Sequence, residues 1–250
     1  MMKMRLLIAW LLFFFGSVQA AELVELIPQV KPSVVGIAIH NPTASPRLQF
    51  IGTGFVVGNG KQVVTNYHVI GRALDESRRE QYVVVSGSAR DITIHPMTGR
   101  RNAPQYDLAI MEIEQALPAL RLAGKDYYPE GSRIAFTGFP ISNVLGLYPA
   151  THQGIIAAIT PIAIPVDNSR DLHIQALRQL REPYLIYQLD ATAYPGNSGS
   201  PLIHQASGKV IGVINMVHVK STREAVLSDP SGISYAIPVR YVHQLLQQTP

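Results

Sequence analysis

Apolar and polar positions along the chain fall into short runs, not into long helical stripes. From residue 33 onward, runs rich in Val and Ile alternate with clusters of Gly, Pro, Asn and Ser. That is the pattern of short strands separated by turns. In the first half it predicts strands at "SVVGIAI" (33–39), "FIGTGFVV" (50–57), "QVVTN" (62–66), "QYVVVSG" (81–87), "DITIH" (91–95) and "DLAIMEI" (107–113). In the second half it predicts "SRIAFTG" (132–138), "HQGIIAAIT" (152–160), "YLIYQL" (184–189), "PLIH" (201–204), "KVIGVINM" (209–216) and "ISYAI" (233–237). Six and six strands at this spacing predict an all-β chain of two antiparallel barrels or sandwiches, since parallel units would need a helix between consecutive strands. "LPALRLAGKDYYPEG" (117–131) is the natural connector. Only two segments have helical spacing. "NSRDLHIQALRQLRE" (168–182) places Leu172, Ala176, Leu177 and Leu180 on one face, and "VRYVHQLLQQ" (239–248) does the same with Val239, Val242 and Leu246.

The first twenty residues have a different logic. A basic start (Lys3, Arg5), an apolar run from Leu6 to Phe15 and small residues ending at Ala20 form the three-part pattern of a secretory signal cleaved after Ala20. The rival reading is an uncleaved anchor, but the uncharged stretch from Leu6 to Ala21 is 16 residues, short of the ~20 needed to span a bilayer. The expected organisation is therefore a signal peptide at 1–20 and one domain at 21–250. Within it, a first barrel is expected at about 30–120, a second at about 130–238 and a C-terminal helix at 239–248.

Composition narrows the function classes. Hydrophobic residues make up 47% of the 250 and charged residues 15%, which suits a folded chain with a substantial core. Formal charge is +4, and the signal segment carries two of the 21 basic residues and none of the 17 acidic ones. The remainder, 19 basic against 17 acidic, is close to neutral, and the basic residues are scattered. No nucleic-acid surface is expected from such a pattern. There is no cysteine, which excludes thiol catalysis, disulfides and Cys-ligated zinc. The eight histidines show no metal-binding spacing. Neither a metal nor a cofactor is expected.

Three segments carry candidate chemistry: "VVTNYHVI" (63–70), "YDLAIMEI" (106–113) and "PGNSGSP" (195–201). Acyl transfer by a serine requires a base within reach of the hydroxyl, a carboxylate to fix the tautomer of that base, and N–H donors for the developing oxyanion. His68 follows a strand ending at Asn66, and Asp107 opens an apolar strand. Ser198 lies on a glycine-flanked turn, where the N–H groups of Gly196 and Ser198, around Asn197, can face one point. Asp91 and Asp75 compete with Asp107 for the role of orienting acid, and the "DLAI" context favours Asp107. The order His, Asp, Ser differs from that of subtilisin-like enzymes and of α/β-hydrolases.

These segments, together with "GTGFVV", "GFP", "QGIIAAI", "YQLDATAYPGNSGSPLI", "GKVIGVIN" and "SYAIPV", resemble the trypsin-like serine proteases of the chymotrypsin fold, and specifically their HtrA (Deg) branch. The resemblance runs from about Ser33 to Val239. It implies two six-stranded antiparallel barrels packed face to face, with His68 and Asp107 from the first and Ser198 from the second. It also implies endopeptidase activity on polypeptide substrates without a cofactor, in an exported protein, periplasmic or secreted and bacterial in style, with no stable membrane association once the signal is cleaved. Some features depart from the branch. No peptide-binding PDZ domain is expected after the protease domain, and Ser200 stands where most of the branch has glycine. No aromatic residue occurs between Ala21 and Gln49, where the branch often builds a trimer, so the sequence assigns no oligomeric state. The connection from Pro161 to Pro183 is long.

Trypsin-like cleavage after Lys or Arg needs a carboxylate six residues before the serine, and Thr192 stands there. The far wall of that pocket is expected in "GVINMV" (212–217), with Val213, Ile214 and Asn215 contributing. Glutamyl endopeptidases place a histidine on this wall. The expected preference is for Val, Ala, Leu or similar residues before the scissile bond. Two alternatives remain open at this level: glutamyl-endopeptidase-like specificity, and a latent protease or chaperone-like binding protein on the same fold.

Overall fold

The computed structural model describes residues 23–141, 146–162, 183–215 and 233–248. Its first six strands are β1 (Val34–His40), β2 (Leu48–Val57), β3 (Gln62–Asn66), β4 (Gln81–Ser88), β5 (Asp91–Ala103) and β6 (Leu108–Ile113). They close into an antiparallel barrel in the order β1-β2-β3-β6-β5-β4. The next six are β7 (Arg133–Gly138), β8 (Ala150–Pro161), β9 (Leu185–Asp190), β10 (Pro201–His204), β11 (Lys209–Asn215) and β12 (Ile233–Pro238). These close into a second barrel in the order β10-β11-β12-β9-β8-β7. The all-β, two-barrel expectation therefore holds.

Why the strands read as near-continuous apolar runs follows from burial on both faces. Successive side chains of a strand point to opposite sides. Val63 and Val64 of β3 are both fully buried, yet they belong to different apolar clusters. The cluster holding Val64 also takes Phe55, Leu108 and Ile110 and continues into the second barrel through Phe136, Leu189 and Val213. The cluster holding Val63 takes Val35, Ile37, Val56 and Met111 and stays within the first barrel. The connector is stitched to both barrels. Leu120 donates its N–H to Val56, and Ala123 donates its N–H to Val210.

Three helices of four residues or more complete the described chain: α1 (Leu23–Val30), α2 (Tyr67–Ile70) and α3 (Val239–Leu246). The last is the expected C-terminal helix. It crosses back over the first barrel, where Arg101 donates from one terminal nitrogen to the carbonyls of Leu246 and Gln248, each at 3.2 Å. α1 was not expected. It contains Pro28 and gains its place from tertiary packing, with Leu26 and Val30 buried and Leu26 set against the turn at Gly208. The helix expected at 168–182 lies outside the described residues, as does the signal segment at 1–20. Among the described residues no helix is long and apolar enough to cross a membrane.

Two strand expectations need correction. β5 runs to Ala103, far past the expected end at residue 95. Pro96 and Gly99 read as breakers in isolation, but β5 pairs with β4 up to Pro96 and with β6 from Met97 onward, changing partners at a register shift between Met97 and Gly99. Asp107 does not open β6. It precedes the strand in a left-handed conformation, φ 49°, which Asp tolerates better than most residues.

Candidate active site

His68 lies in α2, directly after β3, and Asp107 lies between a 3₁₀ turn (Pro104–Tyr106) and β6. β3 and β6 are hydrogen-bonded neighbours with Asn66 opposite Leu108, so adjacent strand ends carry the two residues. The left-handed turn at Asp107 makes the contact bidentate. One carboxylate oxygen, Oδ2, is 2.6 Å from His68 Nδ1, and the other, Oδ1, accepts the His68 backbone N–H at 2.8 Å. The Asp107 carbonyl accepts the Tyr67 N–H at 3.0 Å and the Asn66 side-chain amide at 3.1 Å. With Nδ1 donating to the carboxylate, the neutral ring leaves the Nε2 lone pair free to accept a proton. Behind Asp107, Tyr106 stacks on Tyr241 of α3 at 4.4 Å and meets Tyr184 edge-on at 5.2 Å. Burial pushes the Tyr184 phenol above its ordinary range.

Among the described residues neither rival of Asp107 contacts His68. Asp75 accepts from the N–H and hydroxyl of Ser77 and lies 3.3 Å from Arg78. Asp91 is exposed at the β4–β5 hairpin, opposite Ser88.

Ser198 lies between β9 and β10 in a turn held by both barrels. From its own barrel, the Gly199 N–H donates to Ile214 and the Ile214 N–H to Ser200, both at 2.9 Å. From the other, the Thr53 N–H of β2 donates to the Ser198 carbonyl at 2.9 Å. Gly196 has φ 98° and Gly199 φ 88°, conformations that glycine adopts without steric cost. A Cβ on Gly199 would lie 2.0 Å from the Thr53 carbonyl oxygen, so that contact between barrels is possible only with glycine.

The turn's peptide orientations are fixed. The Pro195 carbonyl accepts the Ile141 N–H at 2.7 Å. In a trans peptide the C=O and N–H point in opposite directions, so the Gly196 N–H points away from Ile141. Neither the Gly196 N–H nor the Ser198 N–H has a hydrogen-bond partner among the described residues. Two free donors separated by one residue can receive an oxyanion. Asn197, between them, is fully buried, and its side-chain oxygen and nitrogen have no partner among the described residues.

The expected pocket residues are divided by the structure. Thr192 is half-buried in the segment leading to Ser198, and Asp190 is exposed at the end of β9. Val213 and Ile214 are fully buried in β11. Asn215 does not present its amide as a pocket wall. Its Nδ2 donates to Asp107 Oδ2 at 3.0 Å, because β11 ends where the two barrels meet. Residues 216 and 217 lie outside the described residues. Sequence reading missed this role of Asn215, the packing of Tyr106 against Tyr184 and Tyr241, and the part played by Thr53. Nothing local marks the first two, whereas Thr53 stands inside a recognised segment, "GTGFVV". On the first-barrel side of His68 a cavity of about 190 Å³ is lined by Ile39, Gln49, Ile51, Val69 and Arg72.

Comparison with known proteins agrees with this fold. Residues 52–213, well over half of the chain, match the family described as "Trypsin-like peptidase domain". The chain is 28% identical over 205 residues to the serine protease HhoB of Synechocystis sp., covering 80% of this chain and 40% of that protein. It is 29% identical over 198 residues to a DegP-like periplasmic serine endoprotease of Chlamydia pneumoniae, covering 79% and 34%. The chain thus spans about two fifths or less of the length of these relatives. Among solved structures, the active form of the Rv3671c protease from M. tuberculosis superposes with a TM-score of 0.64 at 21% identity, covering 90% of this chain and 85% of that one. The HtrA-type protease AlgW with a tripeptide gives 0.62 at 24% identity, covering 89% and 61%. The fold and the family match converge, and the chain belongs to the family of trypsin-like peptidase domains.

Proposed function

We propose that this protein is an exported serine endopeptidase that cleaves polypeptides through an acyl-enzyme on Ser198. His68 takes the hydroxyl proton as Ser198 attacks the peptide carbonyl, then returns it to the leaving amine. Asp107 holds the ring with Nδ1–H toward the carboxylate and stabilises the imidazolium. The Gly196 and Ser198 N–H groups receive the oxyanion, each worth about 10²–10³ in rate by analogy with measured oxyanion donors. Water then releases the acyl group by the same proton transfers in reverse. The single observation that carries this reading is the two-oxygen contact of Asp107 with His68, with Asn215 joining it from the strand that also holds the Ser198 turn.

For specificity, the reading is an apolar residue before the scissile bond. Thr192 supplies no charge, and Asp190, the nearest carboxylate in sequence, is exposed at a strand end. The DegP-like relative is named as periplasmic, which supports export, and a purified mature chain beginning at Ala21 would agree with cleavage of the leader.

The decisive experiment is intact-mass spectrometry after treatment with a fluorophosphonate, beside Ser198→Ala. One adduct on the parent and none on the variant is the expected result. An adduct that persists in Ser198→Ala would overturn the assignment of the nucleophile. Asp107→Asn should lower kcat by about 10⁴-fold, as a wrong-tautomer change does in this chemistry. Peptides differing only before the scissile bond should be cut fastest with Val, Ala or Leu. Preference for Glu, or for Lys and Arg, would overturn the specificity.

A further inference from the structure

Thr53 makes four hydrogen bonds and is fully buried, yet no step of the chemistry needs it. It sits in β2, opposite Gly36 of β1, so it belongs to the first barrel. Its N–H donates to the Ser198 carbonyl at 2.9 Å. Its carbonyl accepts the Thr65 hydroxyl at 2.7 Å. Its own hydroxyl lies 2.6 Å from the Gly196 carbonyl and 3.0 Å from the Phe139 N–H.

The chemistry of those last two partners fixes the direction of the proton. A peptide N–H can only donate and a peptide carbonyl can only accept. The Thr53 hydroxyl therefore accepts from Phe139 and donates to Gly196. It joins β2, the turn after β7 and the Ser198 turn in a single relay. The Gly196 carbonyl shares a planar peptide with the Asn197 N–H, which in turn donates to Tyr194 at 2.9 Å. On the other side of Gly196, the Pro195 carbonyl is held by Ile141. Both peptides flanking Gly196 are thus pinned, one by Ile141 and the other by Thr53. Glycine at 196 has no side chain to resist rotation, so these bonds are what set its two peptide planes.

We infer that Thr53 is a positioning residue for the oxyanion turn. Its hydroxyl, contributed by the first barrel, fixes the Gly196–Asn197 peptide and through it the direction of the Gly196 and Ser198 N–H groups. This rests on the proposed role of the turn in binding the oxyanion. Thr53→Val keeps the shape and the backbone bond to Ser198 but takes the partner from the half-buried Gly196 carbonyl and from the buried Phe139 N–H. Thr53→Ser keeps the hydroxyl and removes only a methyl group.

The experiment pairs two readouts on the full chain, fluorophosphonate labelling with peptide kinetics, and ¹⁵N-resolved amide resonances. In Thr53→Val, kcat and the labelling rate should fall about 10- to 100-fold, in line with the ~10²-fold cost of a misplaced catalytic group. KM should stay within about twofold, and the Gly196, Asn197 and Ser198 amides should shift while those of β8 and β9 do not. Thr53→Ser should stay within about threefold of the parent in rate, with the parent's amide pattern. Equal losses in Val and Ser, or an unmoved turn in Val, would overturn the inference. If Val fails to fold, a rate loss in Ser alone would overturn it and a parental rate with parental amides would support it. If the parent itself fails to label, the serine assignment falls, and the amide shifts still decide whether Thr53 sets the turn.

Discussion

At the scale of single residues, the site depends on groups that reach across from the opposite barrel. Asn215 donates to the same carboxylate oxygen that faces His68. A hydrogen bond to a charged group has a net worth of about 1.5–3 kcal/mol. Asn215→Leu should therefore lower kcat/KM by roughly 10- to 100-fold, at about a decade per 1.4 kcal/mol. The thermal midpoint serves as the check that the fold is intact, and unchanged kinetics would show that the first barrel alone orients Asp107. A second prediction concerns Ser200, whose buried hydroxyl has no partner among the described residues. A Cβ on Gly138 would lie 2.1 Å from that hydroxyl and 2.8 Å from Asn197 Oδ1. Gly138→Ala should destabilise by about 1–3 kcal/mol through overpacking. Adding Ser200→Gly should recover part of that loss, and a double-mutant cycle by urea unfolding measures the coupling.

At the scale of elements, α3 is tied to the first barrel as well as to the second that it follows. The Arg101 side chain is only 9% exposed, lies 3.4 Å from Glu112 and donates to the two carbonyls at the helix end. A helix end leaves its last carbonyls without internal partners, and a guanidinium there also complements the helix dipole. Arg101→Met should cost about 1–3 kcal/mol. The urea midpoint should fall without a change in slope, because the surface exposed on unfolding is nearly the same. β3 and β6 illustrate what local sequence can state. β6 is an apolar run (LAIMEI) and β3 centres on the pair Val63-Val64, each short enough to be read within its own residues. β5 illustrates what it cannot, since its second half is a strand only because β6 is there to pair with it.

At the scale of the molecule, burial sets a dependence on pH. Desolvation lowers the pKa of His95, His152 and His204. For each, the unfolded chain takes up a proton near pH 6.5 while the folded chain resists it. The unfolded state then binds more protons, so folding stability is full above that pH and falls as the pH drops toward the folded-state value. His152 is a clear case, stacked on Phe136 at 5.0 Å with its Nε2 buried and without a partner among the described residues. His152→Phe should flatten the loss of stability between pH 7.5 and 5.0, measured by urea unfolding at each pH. An unaltered slope would mean that His152 does not contribute to it.

The sequence by itself determined the strands, the glycine turns and the order of His68, Asp107 and Ser198. Each of these rests on side-chain alternation, backbone freedom or composition within a few residues. The tertiary structure decided which groups act on those residues. Asn215 and Asp107 are 108 positions apart, Thr53 and Gly196 are 143 apart, and Arg101 and Leu246 are 145 apart. No local period links such pairs. They meet because closing each barrel and packing the two together brings β2, β6, β11 and the Ser198 turn to one seam and lays the end of α3 against β5, where buried donors and acceptors must find one another.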